Sequence, residues 1–328
     1  MTPRSAFDLP NPSHYVHSQM TIPSSDSPVI SIVIPCLGHA SELASNLQAF
    51  QEQQGDLRFE VIVVDSACDP EVESVTRRFP RVKLVRPDTA CTLSSGAARN
   101  LGVQNAAASV IGFMDADCAP HPGWVKAALQ AIGDGAVLAG GPILDRKPWH
   151  WIASTDNRLQ FVDFPADRPA GVAEYVPGAH LVGSRTMFAA VGGFDENMRT
   201  AQDMLFAAQI AQRRPQDVRF CPQMIAYHQG RTQWRGFLRH QRDFGHARAE
   251  FGIRMKRDMF WLGEREYLGW FVALRRLGYI SLRVVQWNPL DLPRYLLQLP
   301  PLLIGLLAWT RGFYAGMRDR AGAKSPTL

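Results

Sequence analysis

Two carboxylates spaced two residues apart are the first candidates for chemistry in this chain. Asp115 and Asp117 follow the short apolar run 110–114. If that run is a buried strand, both side chains lie at its carboxyl end, where open α/β sheets bind ligands. Mg²⁺ and Mn²⁺ are commonly held by one or two carboxylates together with substrate phosphates. The pair therefore indicates a site for a divalent cation and a diphosphate. The alternative is that one Asp caps the next helix and the other is solvated.

The segments before this pair predict how it is positioned. Apolar, β-branched runs predict strands at 29–35, 59–64, 82–85 and 110–114, with helices between them and a further short strand at 137–141. This alternation is typical of βαβ units and indicates an α/β fold with a mostly parallel sheet flanked by helices. Because right-handed crossovers bring the ends of the second and fourth strands to one edge, Asp65 is expected to share a crevice with Asp115 and Asp117.

The turn after the first strand excludes two common ways of holding a nucleotide. Residues 35–40 contain neither a Gly-x-Gly-x-x-Gly fingerprint nor a phosphate-binding P-loop. They also lack the glycine-rich, basic loop that a nucleotidyltransferase usually carries at this place. A nucleotide would therefore be held by a carboxylate on its base or ribose and by a metal ion on its phosphates.

Composition narrows the classes of partner and compartment. The net charge of +5 suits an anionic small substrate or an anionic membrane surface, but without a polybasic run it gives no indication of nucleic acid. The five cysteines are widely spaced, odd in number and without a Cys-x-x-Cys pair. Neither a zinc site nor a disulfide framework is indicated, so reduced thiols in the cytoplasm are expected.

Six short motifs follow one another in the region 29–228. They are Ser31–Pro35, Glu60–Asp65, Ala98-Arg99-Asn100-x-Gly102, Phe113–Asp117, Val191–Glu196 and Gln202-Asp203. In this order and spacing they resemble the family 2 glycosyltransferases, whose GT-A fold is Rossmann-like. The resemblance implies a nucleotide-binding half at 29–118 and an acceptor half at 119–228.

For the sugar donor, the resemblance implies four nucleotide-binding residues. Pro35 ends the first strand, Asp65 is similar to the Asp that contacts the nucleotide base, and Asp115 looks like a ribose ligand. Arg99 is expected to bind phosphate because a guanidinium suits it, and the alternative is a surface or intra-domain salt bridge. The family often has Asp-Asp-Gly-Ser where this chain has 65–68 as Asp-Ser-Ala-Cys, so a second base or ribose contact is not expected. UDP is the expected nucleotide.

For the metal ion, the resemblance implies Mn²⁺ or Mg²⁺ held by Asp117 and Asp115. His228 follows a short apolar strand and is expected as a third ligand, because some GT-A enzymes use a His from this region. The alternative is a structural histidine.

For the acceptor, the resemblance implies a general base and a binding turn. Asp203, at the start of a predicted helix, is expected to take the proton of the acceptor hydroxyl. Gly193, Asp195 and Glu196 are expected to bind the acceptor. Asp195 and Glu196 also compete with Asp203 for the role of base, and the alternative is that Asp195 only forms the turn. The Gln-x-x-Arg-Trp motif of processive members is absent, because residues 229–234 have similar residue types in another order. Polymerising activity is therefore not expected.

The C-terminal segment 229–328 is expected to be helical and close to a membrane. The apolar run 295–309 lies between two arginines, contains a Pro-Pro pair that breaks or kinks a helix, and is shorter than the roughly 20 residues that span a bilayer. Its flanking aromatic and basic residues are typical of an interfacial segment. We expect peripheral contact with an anionic membrane at its cytoplasmic face. The alternatives are a short or kinked transmembrane anchor and a buried tail or dimer surface.

The sequence thus predicts a flexible arm at 1–28, a GT-A domain at 29–228 and a basic, apolar C-terminal segment. The predicted function is an inverting, metal-dependent, hexosyltransferase-type enzyme. It would move a sugar from a nucleotide-diphosphate sugar to an acceptor hydroxyl on a lipid-linked or cell-envelope polysaccharide precursor. The alternatives are a non-catalytic sugar or lipid-phosphate binding protein on the same scaffold, and a nucleotidyltransferase.

Overall fold

The computed structural model describes residues 27–88, 92–198, 200–255 and 269–323. Nearly all of the predicted arm at 1–28 lies outside these ranges, as do 256–268 and 324–328 of the C-terminal segment. The chain forms two units. The first contains residues up to Pro142, with Pro169–Asn197 and Gln202–Ala226; the second contains Ile143–Arg168, Met198–Ala201 and residues from Tyr227 onwards. Residues 143–168 and 198–201 lie within the expected domain at 29–228 but belong to the second unit.

Eleven strands form in the described residues. They are β1 (Ile30–Cys36), β2 (Phe59–Asp65), β3 (Val82–Val85), β4 (Val110–Met114), β5 (Cys118–Pro120), β6 (Leu138–Gly140), β7 (Ile143–Asp145), β8 (Gly171–Val172), β9 (His180–Ser184), β10 (Val218–Phe220) and β11 (Ala226–His228). Eight of them form one sheet within the first unit, in the order β3-β2-β1-β4-β9-β6-β10-β8.

The four strands predicted to lead to the carboxylate pair are parallel neighbours. β1 lies between β2 and β4 and pairs with both in parallel, and β3 adds to β2 in the same direction. Ile32, Val33 and Ile34 of β1 are completely buried, as expected for a strand covered on both faces. Beyond β4 the sheet becomes mixed, because β9 is antiparallel to both β4 and β6. The sheet is mainly parallel on the side that matters for the site.

Eleven α-helices form in the described residues. They are α1 (Ala40–Gln51), α2 (Pro70–Thr76), α3 (Ser95–Gln104), α4 (Trp124–Gly133), α5 (Trp151–Phe161), α6 (Arg185–Val191), α7 (Gln202–Arg213), α8 (Trp234–Arg254), α9 (Gly269–Trp287), α10 (Leu292–Leu297) and α11 (Leu299–Ala323). The start of α3 follows local chemistry, since Ser94 accepts a hydrogen bond from the Ala97 N–H as its N-cap.

Helices α5, α8, α9, α10 and α11 form the apolar core of the second unit. One cluster contains Leu159, Phe237, Ile280, Val284, Tyr295, Leu302 and Leu306. Glycine permits backbone contact between α8 and α11, because a Cβ on Gly245 would stand 1.8 Å from the carbonyl oxygen of Trp309. Likewise a Cβ on Gly312 would stand 1.9 Å from the carbonyl oxygen of Arg242. These two helices can therefore approach closely only while both positions lack a side chain.

Candidate active site

A cleft opens at the carboxyl ends of β1 and β4, where the order of the strands reverses. The chain leaves β1 toward β2 on one side and returns to β4 on the other, and such divergence is what opens a crevice in an α/β sheet. The cleft has a volume of about 220 Å³. Its lining residues are Pro35, Cys36, Leu37, His39, Ser66, Leu93, Ser95, Asp115, Ala116 and Asp117. The structure thus places Pro35 and the two carboxylates together.

The turn that carries Asp115 and Asp117 is fixed by its backbone. The N–H of Cys118 donates to the carbonyl of Asp115 at 3.0 Å, which closes the turn. Asn46, buried on α1, donates to the carbonyls of Asp115 at 3.0 Å and of Cys118 at 2.6 Å. The N–H of Asp115 donates to the carbonyl of Ala179 at 3.1 Å. Because the turn is held from three elements, its carboxylates are oriented in advance of any ligand.

Arg99 holds the first carboxylate directly. Its Nη2 donates to Asp115 Oδ1 at 2.7 Å, its Nη1 donates to Ser95 Oγ at 2.7 Å, and its side chain is 4% exposed. Loss of hydration raises the pKa of Asp115, and the nearby charges of Asp117 and Asp203 add to this while Arg99 opposes it. The arrangement concentrates negative charge at the cleft and keeps one arginine as its counterion.

Asp203 lies beside this pair at the start of α7. Its Oδ2 accepts the backbone N–H of Gly178 at 2.5 Å, and its Oδ1 accepts the N–H of Met204 at 2.8 Å. Gly178 separates Asp203 from Arg99, because a Cβ there would lie 2.9 Å from Asp203 Cβ and 3.0 Å from Arg99 Cζ. The predicted base and the predicted metal-binding pair therefore belong to one electrostatic cluster.

The turn with Gly193, Asp195 and Glu196 is attached to α3 by Asn100. The Asn100 amide donates to the carbonyl of Phe194 at 2.9 Å and to Glu196 Oε1 at 2.8 Å, and its Oδ1 accepts the N–H of Phe194 at 2.9 Å. Gly193 has a φ of 76°, and a Cβ there would lie 2.7 Å from Asn100 Oδ1. Adjacent residues of α3 thus hold one of the two cleft carboxylates (Arg99 on Asp115) and the predicted acceptor turn (Asn100 on Phe194 and Glu196).

This cleft and the motifs around it identify the domain. Residues 31–181 match the model of glycosyl transferase family 2. The chain contains a family 2 glycosyltransferase domain. The matched region includes β1, the Asp115/Asp117 turn and Gly178, and Asp203 lies beyond its end.

Curated relatives of this family 2 chain are glycosyltransferases of several kinds. Glycosyltransferase AglE of Haloferax volcanii is 29% identical over 37% of this chain and 41% of its own length. The pre-mycofactocin glycosyltransferase of Mycobacterium tuberculosis is 25% identical over 69% of this chain and 48% of its own length. The chain spans less than half the length of these two relatives.

Solved structures with the same architecture confirm the predicted GT-A fold. The mannosyltransferase PcManGT from Pyrobaculum calidifontis, in complex with GDP-Man and Mn²⁺, has a TM-score of 0.55 at 16% identity, over 92% of this chain and 77% of that one. S. aureus TarS in complex with UDP has a TM-score of 0.52 at 13% identity, over 90% of this chain and 92% of that one. At such identities the likeness concerns the fold.

Asp65 of the family 2 domain is placed differently from its neighbours in the predicted site. Its side chain is completely buried, and its two oxygens accept the N–H of Asp69 at 3.1 Å and the Arg86 Nε at 3.0 Å. The next residue, Ser66, lines the cleft instead. A base contact by Asp65 stays a prediction, and it requires this buried carboxylate to become accessible to the base.

His228 was expected as a third metal ligand, and the structure gives it other partners. Its Nδ1 lies 3.0 Å from Asn157 Oδ1, and its ring packs against Phe161 at 5.1 Å between centroids, all within the second unit. In the described ranges, no group of three or more His, Cys, Asp and Glu side chains is placed to hold a metal ion. The three-residue set is therefore not formed in this structure, and Asp115 and Asp117 are the candidate pair.

Several residues that shape the site were not assigned a role from the sequence. Asn46 shares the buried face of α1 with Leu43, Leu47 and Phe50, and a polar residue on an apolar face is a signal that could have been read. Asn100 lies inside a recognised motif but its partner is about ninety residues away along the chain. Arg86 and Gly178 carry no local signal at all, because their importance depends on tertiary contacts.

Proposed function

We propose that this chain is an inverting glycosyltransferase that uses a nucleoside-diphosphate sugar. The observation that carries the proposal is the cluster at the cleft, in which Asp115 and Asp117 follow β4 and Asp203 stands beside Arg99 across Gly178. The family 2 domain supports the reaction class. The nucleotides bound in PcManGT and TarS, GDP-Man and UDP, support a nucleotide-sugar donor, since these proteins share the fold.

The residues present suit a divalent cation. Asp115 and Asp117 offer hard carboxylate oxygens at the cleft. Burial, more than repulsion from Asp117 and Asp203, raises the pKa of Asp115, and a bound cation would offset both effects. These two side chains would hold Mn²⁺ or Mg²⁺, and the Mn²⁺ bound in PcManGT supports this choice. When bound, such an ion neutralises charge on a leaving diphosphate. Arg99 would keep Asp115 ionised and in one rotamer for this purpose.

Asp203 would act as the general base of a single displacement. Each of its oxygens accepts one backbone hydrogen bond and keeps a lone pair for an acceptor hydroxyl. The hydroxyl oxygen forms a bond to the anomeric carbon as the bond from that carbon to the diphosphate oxygen breaks. The proton passes to Asp203, and the electron pair leaves with the nucleoside diphosphate. One displacement inverts the anomeric configuration.

The acceptor would approach from the turn at 192–196. Asn100 fixes this turn to the helix that also carries Arg99, so acceptor and donor sites share one rigid support. Glu196 is exposed and Asp195 is half-buried, and both could bind sugar hydroxyls. The acceptor class that fits is a polyhydroxyl compound, such as a sugar carried on a larger envelope precursor.

Thermal shift with nucleotides tests the donor site first. UDP, GDP, dTDP and CDP are each added with and without Mn²⁺, and a ligand that binds the native state raises the melting temperature with its occupancy. We expect a metal-dependent shift for one nucleotide, and loss of that shift in Asp117→Asn. No shift with any nucleotide in folded protein would contradict the donor site.

Substitution of the base separates an enzyme from a binding protein. Asp203→Asn should abolish sugar transfer while the nucleotide-induced thermal shift is kept. Asp134→Asn, which removes the same charge from an exposed position after α4, serves as the matched control and should transfer at the wild-type rate. Transfer by Asp203→Asn at the wild-type rate would contradict the proposed base. A pyrophosphate product instead of a nucleoside diphosphate would indicate a nucleotidyltransferase.

A further inference from the structure

Apolar side chains are exposed on the outer faces of three helices of the second unit. They are Phe271, Leu274, Leu282 and Val285 on α9, Leu290 before α10, Leu292, Leu296 and Leu297 on α10, and Leu303, Ile304 and Leu307 on α11. We call this set the leucine face. Leu290 is 93% exposed and Leu297 is 72% exposed. Single exposed leucines need no explanation, but eleven large apolar side chains exposed on helices that share one core are typical of an interaction site.

The leucine face is centred on a sharp corner in the chain. The segment Pro289–Leu297 and the helical stretch Leu299–Asp319 have together the length and composition of a membrane segment, but they meet at an angle of 77°. No single helix among the described residues is long and apolar enough to cross a bilayer. Pro300 and Pro301 occupy the first turn of α11, where a missing N–H is tolerated, so the sequence itself fixes the corner.

Polar side chains at the corner are paired on its inner side. Gln298 is buried, accepts the Arg158 Nε at 2.5 Å and donates to Ser154 Oγ at 2.6 Å. Arg158 also pairs with Asp291. These contacts satisfy groups that would be costly in hydrocarbon, where each unpaired polar group costs several kcal/mol.

Two further polar groups of the corner, the guanidinium of Arg294 and the hydroxyl of Tyr295, are also paired. Arg294 Nη2 lies 3.1 Å from Asp145 Oδ2, and its Nη1 lies 3.7 Å from Asp291 Oδ1. The hydroxyl of Tyr295 lies 2.6 Å from Ser281 Oγ. The exposed residues of the corner, at 289, 290, 292, 293, 296, 297 and 300, are all leucine or proline.

Tryptophan and arginine border the leucine face. The Trp151 Nε1 donates to the carbonyl of Leu297 at 2.8 Å, which places that ring beside the corner, and Trp149 nearby in sequence is 91% exposed. Arg311 is exposed eight residues after Leu303, or about 12 Å along α11. That distance is within the roughly 15 Å of one leaflet of the hydrocarbon core. Aromatic and basic residues at this depth are typical of the headgroup region.

We propose that the leucine face inserts into one leaflet of an anionic lipid bilayer. Leu297, Leu303 and Leu307 would enter the acyl region, and Trp149, Trp151 and Arg311 would lie among the headgroups. The positive net charge of the chain and the exposed Arg275 and Arg311 complement anionic lipid. Membrane contact of this kind is independent of the reaction proposed above.

Vesicle flotation with the full chain tests this proposal. Vesicles are made of phosphatidylcholine alone or of phosphatidylcholine with phosphatidylglycerol. We expect the wild type to float with the mixed vesicles, and the double variant Leu297→Glu, Leu303→Glu to lose at least tenfold in partitioning. Val172→Glu is the matched control, because it places the same charge at an exposed apolar residue of β8 in the first unit, and it should bind like the wild type. Arg311→Glu should weaken binding to the mixed vesicles only.

Two further measurements keep the outcome clear. Circular dichroism establishes that each variant is folded. The nucleotide thermal shift shows whether the donor site is intact, so that a failure of the membrane proposal is distinguished from a failure of the proposed function. Quenching of tryptophan fluorescence by brominated lipids should fall in Trp149→Phe. Wild-type binding by the double variant, or no flotation of the wild type, would overturn the proposal. The proposal would also be overturned if light scattering showed a dimer that the double substitution dissociates, and if vesicles bound neither the wild type nor the variant.

Discussion

The backbone N–H of Gly178 donates to Oδ2 of Asp203 at 2.5 Å, and a Cβ at this position would stand 3.0 Å from Cζ of the guanidinium that holds Asp115. The lack of a side chain at 178 therefore sets the spacing between the proposed base and the Arg99–Asp115 pair. Gly178 thus controls the geometry of the site although it contributes no functional group of its own.

Gly178→Ala should lower the rate of sugar transfer with little effect on the affinity for the donor. The new methyl group would lie 2.9 Å from Asp203 Cβ and 3.0 Å from Arg99 Cζ, so one of them must move. A displacement of about 1 Å at a reacting group costs on the order of a hundredfold in rate. Steady-state kinetics with varied donor and acceptor measure kcat and KM separately. Gly133→Ala, at a position with open space around it, is the control and should behave as wild type.

Asn100→Asp should raise the KM for the acceptor while nucleotide binding is kept. The aspartate can still accept the Phe194 N–H, but it cannot donate to the Phe194 carbonyl or to Glu196, and it repels the Glu196 carboxylate. Loss of a buried hydrogen-bond partner costs about 1–3 kcal/mol. The comparison is between acceptor KM and the nucleotide-induced thermal shift. If the acceptor KM rises and the nucleotide-induced thermal shift is lost to the same extent, the turn at 192–196 also supports the donor site.

Asp65→Asn should destabilise the fold by about 1–3 kcal/mol even without nucleotide. Its carboxylate accepts hydrogen bonds from Asp69 N–H and Arg86 Nε, and an amide presents a donor to one of them. Urea unfolding measures the effect. A variant as stable as the wild type but with weakened nucleotide binding would show instead that Asp65 turns toward the ligand, as the family resemblance implies.

Asp156 should make the second unit sensitive to acid. Burial by itself would raise its pKa, but hydrogen bonds and charge from His240 and Arg231 outweigh burial and lower the pKa to about 2. Since the folded pKa lies below the ordinary value of 3.8, the ionised group stabilises the fold above about pH 4. This contribution is lost as the pH falls from 4 through 2.

The corresponding measurement compares unfolding free energies of wild type and Asp156→Asn from pH 7 to pH 2. The difference should be largest near neutral pH and shrink by about 2 kcal/mol toward pH 2. Asp134→Asn, exposed in the first unit, should show no such trend. A constant difference across the range would mean that the charge of Asp156 does not contribute.

Cys68 should react with iodoacetamide before Cys36 in the native protein. Burial, with added repulsion from the Asp65 carboxylate, raises the pKa of the Cys36 thiol to about 12, whereas Cys68 is exposed. Mass spectrometry of peptides after timed labelling at pH 8 gives the order. Labelling of Cys36 at the rate of Cys68 would contradict the burial of β1 at the cleft.

The sequence was sufficient to predict the part of the fold that is built locally. β-Branched runs such as 30–34 and the apolar run before Asp115 indicated their strands, and the right-handed crossover rule brought their ends to one cleft. The sequence did not predict that β9 lies between β4 and β6. The place of a later strand depends on which edge of the sheet is still unpaired, and this is a tertiary property.

The placement of individual site residues was less predictable for the same reason. Pro35, Asp115 and Asp117 line one cleft because they end neighbouring strands. The burial of Asp65 depends on Arg86, which is 21 positions later, and the attachment of the acceptor turn depends on Asn100, 94 positions before Phe194. Side-chain pairing over such separations leaves no periodic pattern for a reader of the sequence to detect.

The close contact of α8 and α11 through Gly245 and Gly312 has a consequence for how this protein can vary. In a library of all single substitutions, these glycines should tolerate no other residue, since even a methyl group would overlap a carbonyl oxygen of the opposite helix. Exposed leucines of the same helices would accept many replacements in a test of folding alone. In the C-terminal region, the positions expected to vary least during evolution are therefore these two glycines, which have no side chain.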